Sequence, residues 1–292
     1  MYRRYFVFFL IKKENLTISN IVLTCFALSL FLCVFNTPVE AQRDEGTVSG
    51  IWTFDDGTAN DSSNKGLNGV IVGDPKSVNG IAGKALEFNG TSDSIHIPDS
   101  PNINITNIIT NRTIAAFFNC NDVSKNQKQV IFEEGGRTRG LVLYVFEGRV
   151  YIGGWNRAEY NWTGEWLSAD VKSNQWYHVA LVIRDAEGKV ESDRLEMWLD
   201  GRLVEKIDGG QLHPHGDDNA IGSLKQNAVY HDDAGAIAGY ADWFHGLLDE
   251  ILIYNSAFDQ GDFNELVKPL SVEAKGKSTT TWGKIKSQRL TD

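Results

Sequence analysis

The amino-acid sequence predicts an all-β protein in which two antiparallel sheets pack face to face. Apolar and polar residues alternate with a period of two in about thirteen short segments. Gly, Asp, Asn and Ser collect between these segments, where they favour tight turns. Helical periodicity is nearly confined to residues 259–267. Many short strands and so little helix are typical of a two-sheet β-sandwich.

Residues 1–41 resemble a secretory signal peptide. Four basic residues surround the first apolar residues, the stretch 21–35 is apolar, and Val39-Glu40-Ala41 offers a small-residue cleavage site. We expect cleavage after Ala41. The alternative is an uncleaved membrane anchor, but the apolar stretch is short for a membrane span. The sequence therefore predicts a secreted, periplasmic or cell-surface protein with no membrane span after cleavage.

The charge balance limits the classes of partner. The full chain carries a net charge of −10, and removing residues 1–41 takes away four bases and two acids, which leaves −12. Such a chain has no general attraction for nucleic acids or anionic membranes, but it can attract cations. Only Cys120 lies beyond the leader, so no internal disulfide is expected and stability must come from core burial or a metal.

Residues 42–268 are predicted to form one domain, and residues 269–292 a flexible basic tail with too little apolar surface to fold alone. The predicted strands, in chain order, are 46–54, 69–72, 85–90, 93–97, 112–119, 128–134, 140–146, 149–155, 176–184, 194–199, 202–207 and 244–255, followed by a short helix at 259–267. Two segments lack a regular pattern: an aromatic insert at 156–166 and a long loop at 211–240. A loop of that length in a domain is usually functional or mobile.

The most regular pattern is a three-strand meander at 176–207. Its first strand carries an apolar set at every second position, namely Tyr177, Val179, Leu181 and Ile183, which predicts one face on a core. Asp200-Gly201 joins the second strand to the third, and this pair readily adopts the positive φ angles of a tight primed turn.

Three stretches of the chain resemble one known family. These are WTFDDGTANDSSNKGLNG followed by GIAGKALEFNG, then QWYHVALVIR followed by LEMWLDGRLV, and finally FHGLLDEILIYN. Together they are similar to the laminin-G-like, concanavalin A-like jelly-roll domains over residues 46–266. The resemblance implies a jelly-roll sandwich, an exported binding protein, and pairing of the first strand with the last.

The resemblance also implies a structural calcium ion. Domains of this kind often hold Ca²⁺ where the first and last strands pair, and Ca²⁺ prefers carboxylate, amide and carbonyl oxygens. The carried-over ligands are Asp61 and Asp249, with Asn64 and Asp55 as further candidates. The alternative is that Asp61 and Asp249 only cap turns by accepting backbone N–H bonds, and the sequence leaves both open.

Aromatic residues are the candidate ligand-binding side chains, because their faces suit the CH-rich face of a sugar ring. The candidates are Trp155, Tyr160, Trp162, Trp166 and Trp198. Trp198 alternates with Leu195, Met197 and Leu199, which places it on the opposite sheet face, where it could line a groove. Core packing is the alternative fate for each of these rings.

No catalytic constellation is present in the sequence. Asp249 and Glu250 are adjacent, so they point to opposite faces of a strand and cannot act together as glycosidase carboxylates. Histidines and aspartates at 213–219 and 231–233 match no standard zinc spacing, and a solvated loop is expected there. We therefore expect a non-catalytic binding module for a glycan, or alternatively for an extracellular protein; a glycoside hydrolase is the third possibility.

Overall fold

A computed structural model describes residues 47–104, 107–159, 161–232 and 239–269. The predicted signal peptide (1–41) and residues 270–292 of the predicted tail lie outside the described residues. The strands are β1 Val48–Trp52, β2 Val70–Val72, β3 Lys76–Asn79, β4 Lys84–Asn89, β5 Ser94–Ile97, β6 Arg112–Cys120, β7 Gln129–Gly135, β8 Arg139–Phe146, β9 Arg149–Asn156, β10 Trp162–Asp170, β11 Trp176–Ile183, β12 Glu191–Leu199, β13 Arg202–Gly209, β14 Asn219–Ile221 and β15 His245–Tyr254, and the helix is α1 Gln260–Leu266.

These strands form two antiparallel sheets. The first sheet has eight strands in the order β13-β12-β11-β6-β15-β4-β3, with β1 also paired to β15. The second has seven strands in the order β10-β9-β8-β7-β14-β5-β2. The predicted all-β jelly-roll sandwich is confirmed. Within the described ranges, no helix is long and apolar enough to cross a membrane.

The main core lies between the two sheets. Tyr177, Val179, Leu181 and Ile183 of β11 all belong to it, as their alternation predicts. They meet inward residues of the second sheet such as Leu143 and Ile152. Full burial of each large apolar side chain contributes about 1.5–3 kcal/mol, so this layer is the principal source of stability.

The outer face of the first sheet is also buried. Ala180 and Val182, on the other face of β11, belong to a second core with Trp198, Phe263 and Leu266. The last two belong to α1, whose start is fixed by a capping box in which Asp259 and Asp262 bond each other's backbone N–H. Alternation alone predicted one buried face on β11, and α1 supplies the cover for the second.

The outer face of the second sheet carries a third core. Segment 222–232 lies on this face, and its residues Leu224 and Tyr230 pack with Val142, Tyr144 and Trp155 of the sheet. The described part of the long loop predicted at 211–240, which comprises 211–232 and 239–240, therefore contains the short strand β14 and a segment that covers the sheet.

Three strands were missed by the sequence prediction. The aromatic insert at 156–166 runs into β10, which pairs with β9 along its length. A register shift between Trp162 and Glu165, with Gly164 at φ 130°, interrupts the alternation that would have revealed this strand. The other two, β3 and β14, are only four and three residues long.

The turn between β12 and β13 has the predicted geometry. Asp200 has a φ of 50° and Gly201 a φ of 73°, so both central residues are left-handed, as a primed hairpin turn requires. The Asp200 side chain accepts a hydrogen bond from the His178 backbone N–H at 2.8 Å, which ties this turn to β11.

Candidate functional site

The last strand, β15, changes partner along its length. Residues 245–248 pair with β4, and residues 251–254 pair with β1, so the predicted pairing of the first and last strands is confirmed. The change falls at Asp249 and Glu250, where the register against β6 shifts and Glu250 adopts a φ of 48°. This irregularity turns the Asp249 side chain toward the loop that precedes β4.

Two of the predicted calcium ligands meet at that loop, the turn formed by residues 80–84. Asp249 Oδ2 accepts the Ala82 N–H at 3.1 Å, and Asp55 Oδ1 accepts the Lys84 N–H at 3.0 Å. A Cβ at Gly80 would lie 2.3 Å from Asp249 Oδ2, and one at Gly83 would lie 2.0 Å from Asp55 Oδ1. Glycine at both positions therefore lets two carboxylates approach one turn.

The other two predicted ligands lie elsewhere. Asp61 accepts three backbone N–H groups, from Ile51, Ser63 and Leu67, at 2.8–3.1 Å. These bonds fold the loop after β1 back onto that strand, so they match the turn-capping alternative for this residue. Asn64 is exposed, with a φ of 63°.

In the part of the chain that is described, no group of three or more His, Cys, Asp and Glu residues could hold a metal ion. An ion at the 80–84 turn would thus need backbone carbonyls besides Asp55 and Asp249.

Three of the five predicted ligand-binding aromatics are buried, which corrects the expectation of an exposed rim formed by them. Trp155 is 1% exposed and donates its indole N–H to the Gly136 carbonyl at 2.8 Å. Trp162 is 2% exposed in the main core. Trp198 is 5% exposed, stacks on Phe263 of α1 at 4.5 Å, and donates to Glu196 at 3.0 Å, so no open groove borders it.

The remaining two predicted aromatics are Tyr160 and Trp166. Tyr160 lies outside the described residues. Trp166 is half-buried on the outer face of β10, opposite Gly153 of β9. A Cβ at Gly153 would lie 2.1 Å from Trp166 Cδ1, so the indole ring packs directly against that glycine.

Trp166 is part of a larger exposed aromatic surface. Phe146, Tyr151 and His231 are half-buried on the same outer face of the second sheet, and we call these four residues the aromatic platform. The His231 ring stacks on Tyr151 with centroids 4.3 Å apart and lies 5.6 Å from Phe146. Sequence reasoning missed Phe146 and Tyr151, although alternation along β8 and β9 places both on this face.

Buried residues hold the platform in place. Tyr144 stacks in parallel on Tyr151 at 5.0 Å and hydrogen-bonds His231 Nδ1 at 2.7 Å. Lys128 is 9% exposed, and its ammonium group contacts Asp232 at 2.8 Å and lies 4.8 Å from the Phe146 ring centroid. These contacts hold the end of segment 222–232 beside the platform.

Glu133 anchors the start of the same segment. It is 1% exposed, and its Oε1 accepts the backbone N–H groups of Lys225 and Gln226 at 3.0 and 3.1 Å. Burial, together with the nearby Asp217 and Glu134, raises the pKa of this carboxyl to about 8, although the two hydrogen bonds act to lower it. Glu133 therefore holds the covering segment on the sheet.

The arrangement of these sheets defines a concanavalin A-like jelly roll. Residues 89–262 match the family described as the concanavalin A-like lectin/glucanases superfamily, and the chain belongs to this family as a laminin-G-like domain. No curated protein matches the chain.

Several solved structures share the fold. Domain 4 of AbnA, an extracellular GH43 arabinanase from Geobacillus stearothermophilus solved with arabinotriose, has a TM-score of 0.56 and 16% identity, over 76% of this chain and 98% of that domain. The binding domain of Paraclostridial Mosquitocidal Protein 1 has a TM-score of 0.59 and 12% identity, over 76% of this chain. The receptor-binding domain of a botulinum neurotoxin C/D mosaic serotype has a TM-score of 0.56 and 13% identity, over 77% of this chain.

The chain spans about half the length of the two toxin domains, 52% of each. At these identities the likeness shows the fold alone. The family match and the shared fold agree that the chain is a concanavalin A-like domain.

Proposed function

We propose that this protein is an exported, non-catalytic module that binds carbohydrate on the aromatic platform. One observation carries the proposal. Phe146, Tyr151, Trp166 and His231 form a partly exposed aromatic surface on the outer face of the second sheet. Aromatic faces offer sugars apolar area at low entropic cost, with polar edges nearby for their hydroxyl groups. The fold shared with an arabinanase domain solved with arabinotriose is consistent with this class of ligand.

Binding without catalysis is proposed because the carboxyl group best suited to acid catalysis is not accessible. Glu133 has the raised pKa that a general acid needs, but it is 1% exposed beneath the 225–226 turn. A sugar on the aromatic platform would be separated from it by segment 222–232.

The test is isothermal titration against a panel of arabino-, xylo-, manno- and gluco-oligosaccharides. Trp166→Ala and Tyr151→Ala should each weaken the affinity of the best sugar at least about tenfold, since each removes a stacking face. Leu203→Ala is the matched control, because Leu203 is 40% exposed on β13 of the other sheet. Equal affinity of all three variants and the wild type would refute the platform as the site.

A protein partner is the second candidate, and a separate surface favours it. Val70 and Ile71 are 54% and 40% exposed on β2, the edge strand of the second sheet. An apolar edge strand can accept a strand from another chain. If no sugar binds, replacing Val70 and Ile71 by Lys should abolish binding to a candidate partner protein, whereas Leu203→Lys should not.

A structural calcium ion is proposed at the 80–84 turn, with Asp55 and Asp249 as its side-chain ligands and backbone carbonyls completing its shell. The convergence of two carboxylates on a turn that has glycine at both contact points supports this site. When bound, the ion would offset the charge of the buried Asp249, which is 0% exposed.

Thermal unfolding with Ca²⁺ and with a chelator tests the ion. An ion present at one hundred times its dissociation constant stabilises the folded state by about 2.7 kcal/mol. Asp249→Asn and Asp55→Asn should remove the calcium-dependent shift. Asp61→Asn should lower the melting temperature but keep the shift, because its carboxylate bonds backbone N–H groups within its own loop and at Ile51.

A further inference from the structure

The hydroxyl group of Tyr144 makes two hydrogen bonds to the same residue. Tyr144 Oη lies 2.7 Å from the ring nitrogen Nδ1 of His231, and it also accepts the backbone N–H of His231 at 3.2 Å. Tyr144 itself is 0% exposed, so water does not compete for its hydroxyl group. The two residues thus form a closed pair in which the direction of each bond can be deduced.

The backbone bond decides where the tyrosine proton lies. A backbone N–H can only donate, so Tyr144 Oη is its acceptor. Tyr144 Oη has a second lone pair and could also accept a proton from Nδ1, but its own buried proton would then have no acceptor among the described residues, which is costly. The hydroxyl proton is therefore donated to Nδ1, which is the unprotonated nitrogen of a neutral ring. A neutral imidazole has one N–H, so the proton of His231 is on Nε2.

We infer that Tyr144 locks His231 in the neutral Nε2–H tautomer, and that this N–H is a fixed hydrogen-bond donor for an acceptor oxygen of the sugar on the aromatic platform. The assignment of a sugar rests on the proposed function, whereas the tautomer does not. The ligand class is a neutral saccharide whose hydroxyl or ring oxygen lies at the edge of the ring that stacks on the platform.

Packing keeps the donor in one place. The His231 ring is stacked on Tyr151 at 4.3 Å with the two planes 19° apart, and it lies 5.6 Å from Phe146. Rotation of the imidazole would break both the Tyr144 bond and this stacking. A donor held by packing and by a second bond loses little entropy when a ligand binds.

The surroundings of His231 favour the neutral ring. Burial lowers the pKa of His231, and Lys128 lowers it further, whereas Asp232 and Glu147 raise it. Tyr144 faces the ring from the sheet, and burial raises the pKa of its hydroxyl group, so it stays protonated. The ring is therefore neutral at neutral pH, and the donor does not depend on a positive charge.

The tautomer is tested without any ligand by ¹⁵N NMR of the histidine side chains at pH 7.5. We expect His231 to show a protonated Nε2 and an unprotonated Nδ1 in the wild type, and a mixture of tautomers in Tyr144→Phe. Tyr230→Phe is the matched control, because its hydroxyl group bonds Asp242 rather than His231. A protonated Nδ1, or no change in Tyr144→Phe, would overturn the lock.

The donor is tested by titrating the panel oligosaccharides into two variants. His231→Phe keeps a stacking ring but has no donor, and it should bind about three- to tenfold more weakly. His231→Gln places an amide N–H near the position of Nε2 and should recover part of that loss. Equal affinity of His231→Phe and the wild type would overturn the donor role even if Trp166→Ala abolishes binding. If Trp166→Ala and Tyr151→Ala both bind the sugar as tightly as the wild type, the proposed function is refuted instead.

Discussion

His178 tests the packing of α1 on the outer face of the first sheet. Its side chain is 1% exposed under α1, with Phe117 at 4.7 Å and Phe263 at 6.0 Å between ring centroids. Among the described residues, neither ring nitrogen has a hydrogen-bond partner. Burial lowers the pKa of His178 to about 3 from an ordinary value of 6.5. Between about pH 3 and pH 6.5, the folded protein therefore keeps this ring neutral whereas the unfolded chain protonates it.

The difference between the folded and unfolded pKa of His178 determines how the stability of the protein depends on pH. Because the folded-state pKa is depressed, stability is lost as the pH falls below 6.5, and the loss ends near pH 3. Each unit of difference corresponds to about 1.36 kcal/mol. At pH 4.5 the wild type should have lost about 2.7 kcal/mol of unfolding free energy through this one residue. His178→Phe removes the titrating group and retains an aromatic ring.

The assay is urea unfolding of wild type and His178→Phe at several pH values between 8 and 4. At pH 8 the difference between the two free energies reports only packing. As the pH falls, the difference should shift in favour of the variant by about 2.7 kcal/mol at pH 4.5. Phe117→Leu is the matched control, since it disturbs the same core without a titrating group. A pH-independent difference for His178→Phe would refute the reasoning.

Three further predictions concern other buried groups. Glu133→Gln should be more stable than the wild type at pH 8 by about 2–4 kcal/mol, with the gap closing toward pH 4.5 in the same urea assay, because the folded-state pKa of Glu133 is raised to about 8. Glu134→Ala should lose about 3–5 kcal/mol by urea unfolding, since it leaves the guanidinium of Arg112, which is 0% exposed, without its carboxylate; a loss below 1 kcal/mol would contradict a buried ion pair. Trp198→Ala should lose about 3–5 kcal/mol of stability in the same assay but bind the panel sugars as tightly as the wild type does. Weaker sugar binding by the folded variant would show that Trp198 belongs to the ligand site.

Local sequence determined much of the fold. Alternation predicted the inward set of β11, and Asp200-Gly201 predicted a primed turn, because both depend on residues that are neighbours in the chain. The family pattern predicted that the first and last strands pair, which the register of β1 against β15 confirms. Where a glycine distorts a strand, as Gly164 does in β10, the alternation of apolar and polar residues did not predict the strand.

The candidate site was less predictable, because exposure depends on distant segments. Alternation shows that Trp198 and Tyr151 lie on outward faces, but it cannot show what packs over those faces. Helix α1, about 60 residues later in the chain, buries Trp198, whereas segment 222–232 leaves Tyr151 half-exposed beside His231. Sequence by itself determined on which side of its strand Trp198 or Tyr151 lies, but not for the aromatics of β10, whose alternation is interrupted. Only the tertiary structure decided which of them a ligand can reach, because covering one face of a sheet is a contact between residues far apart in the chain.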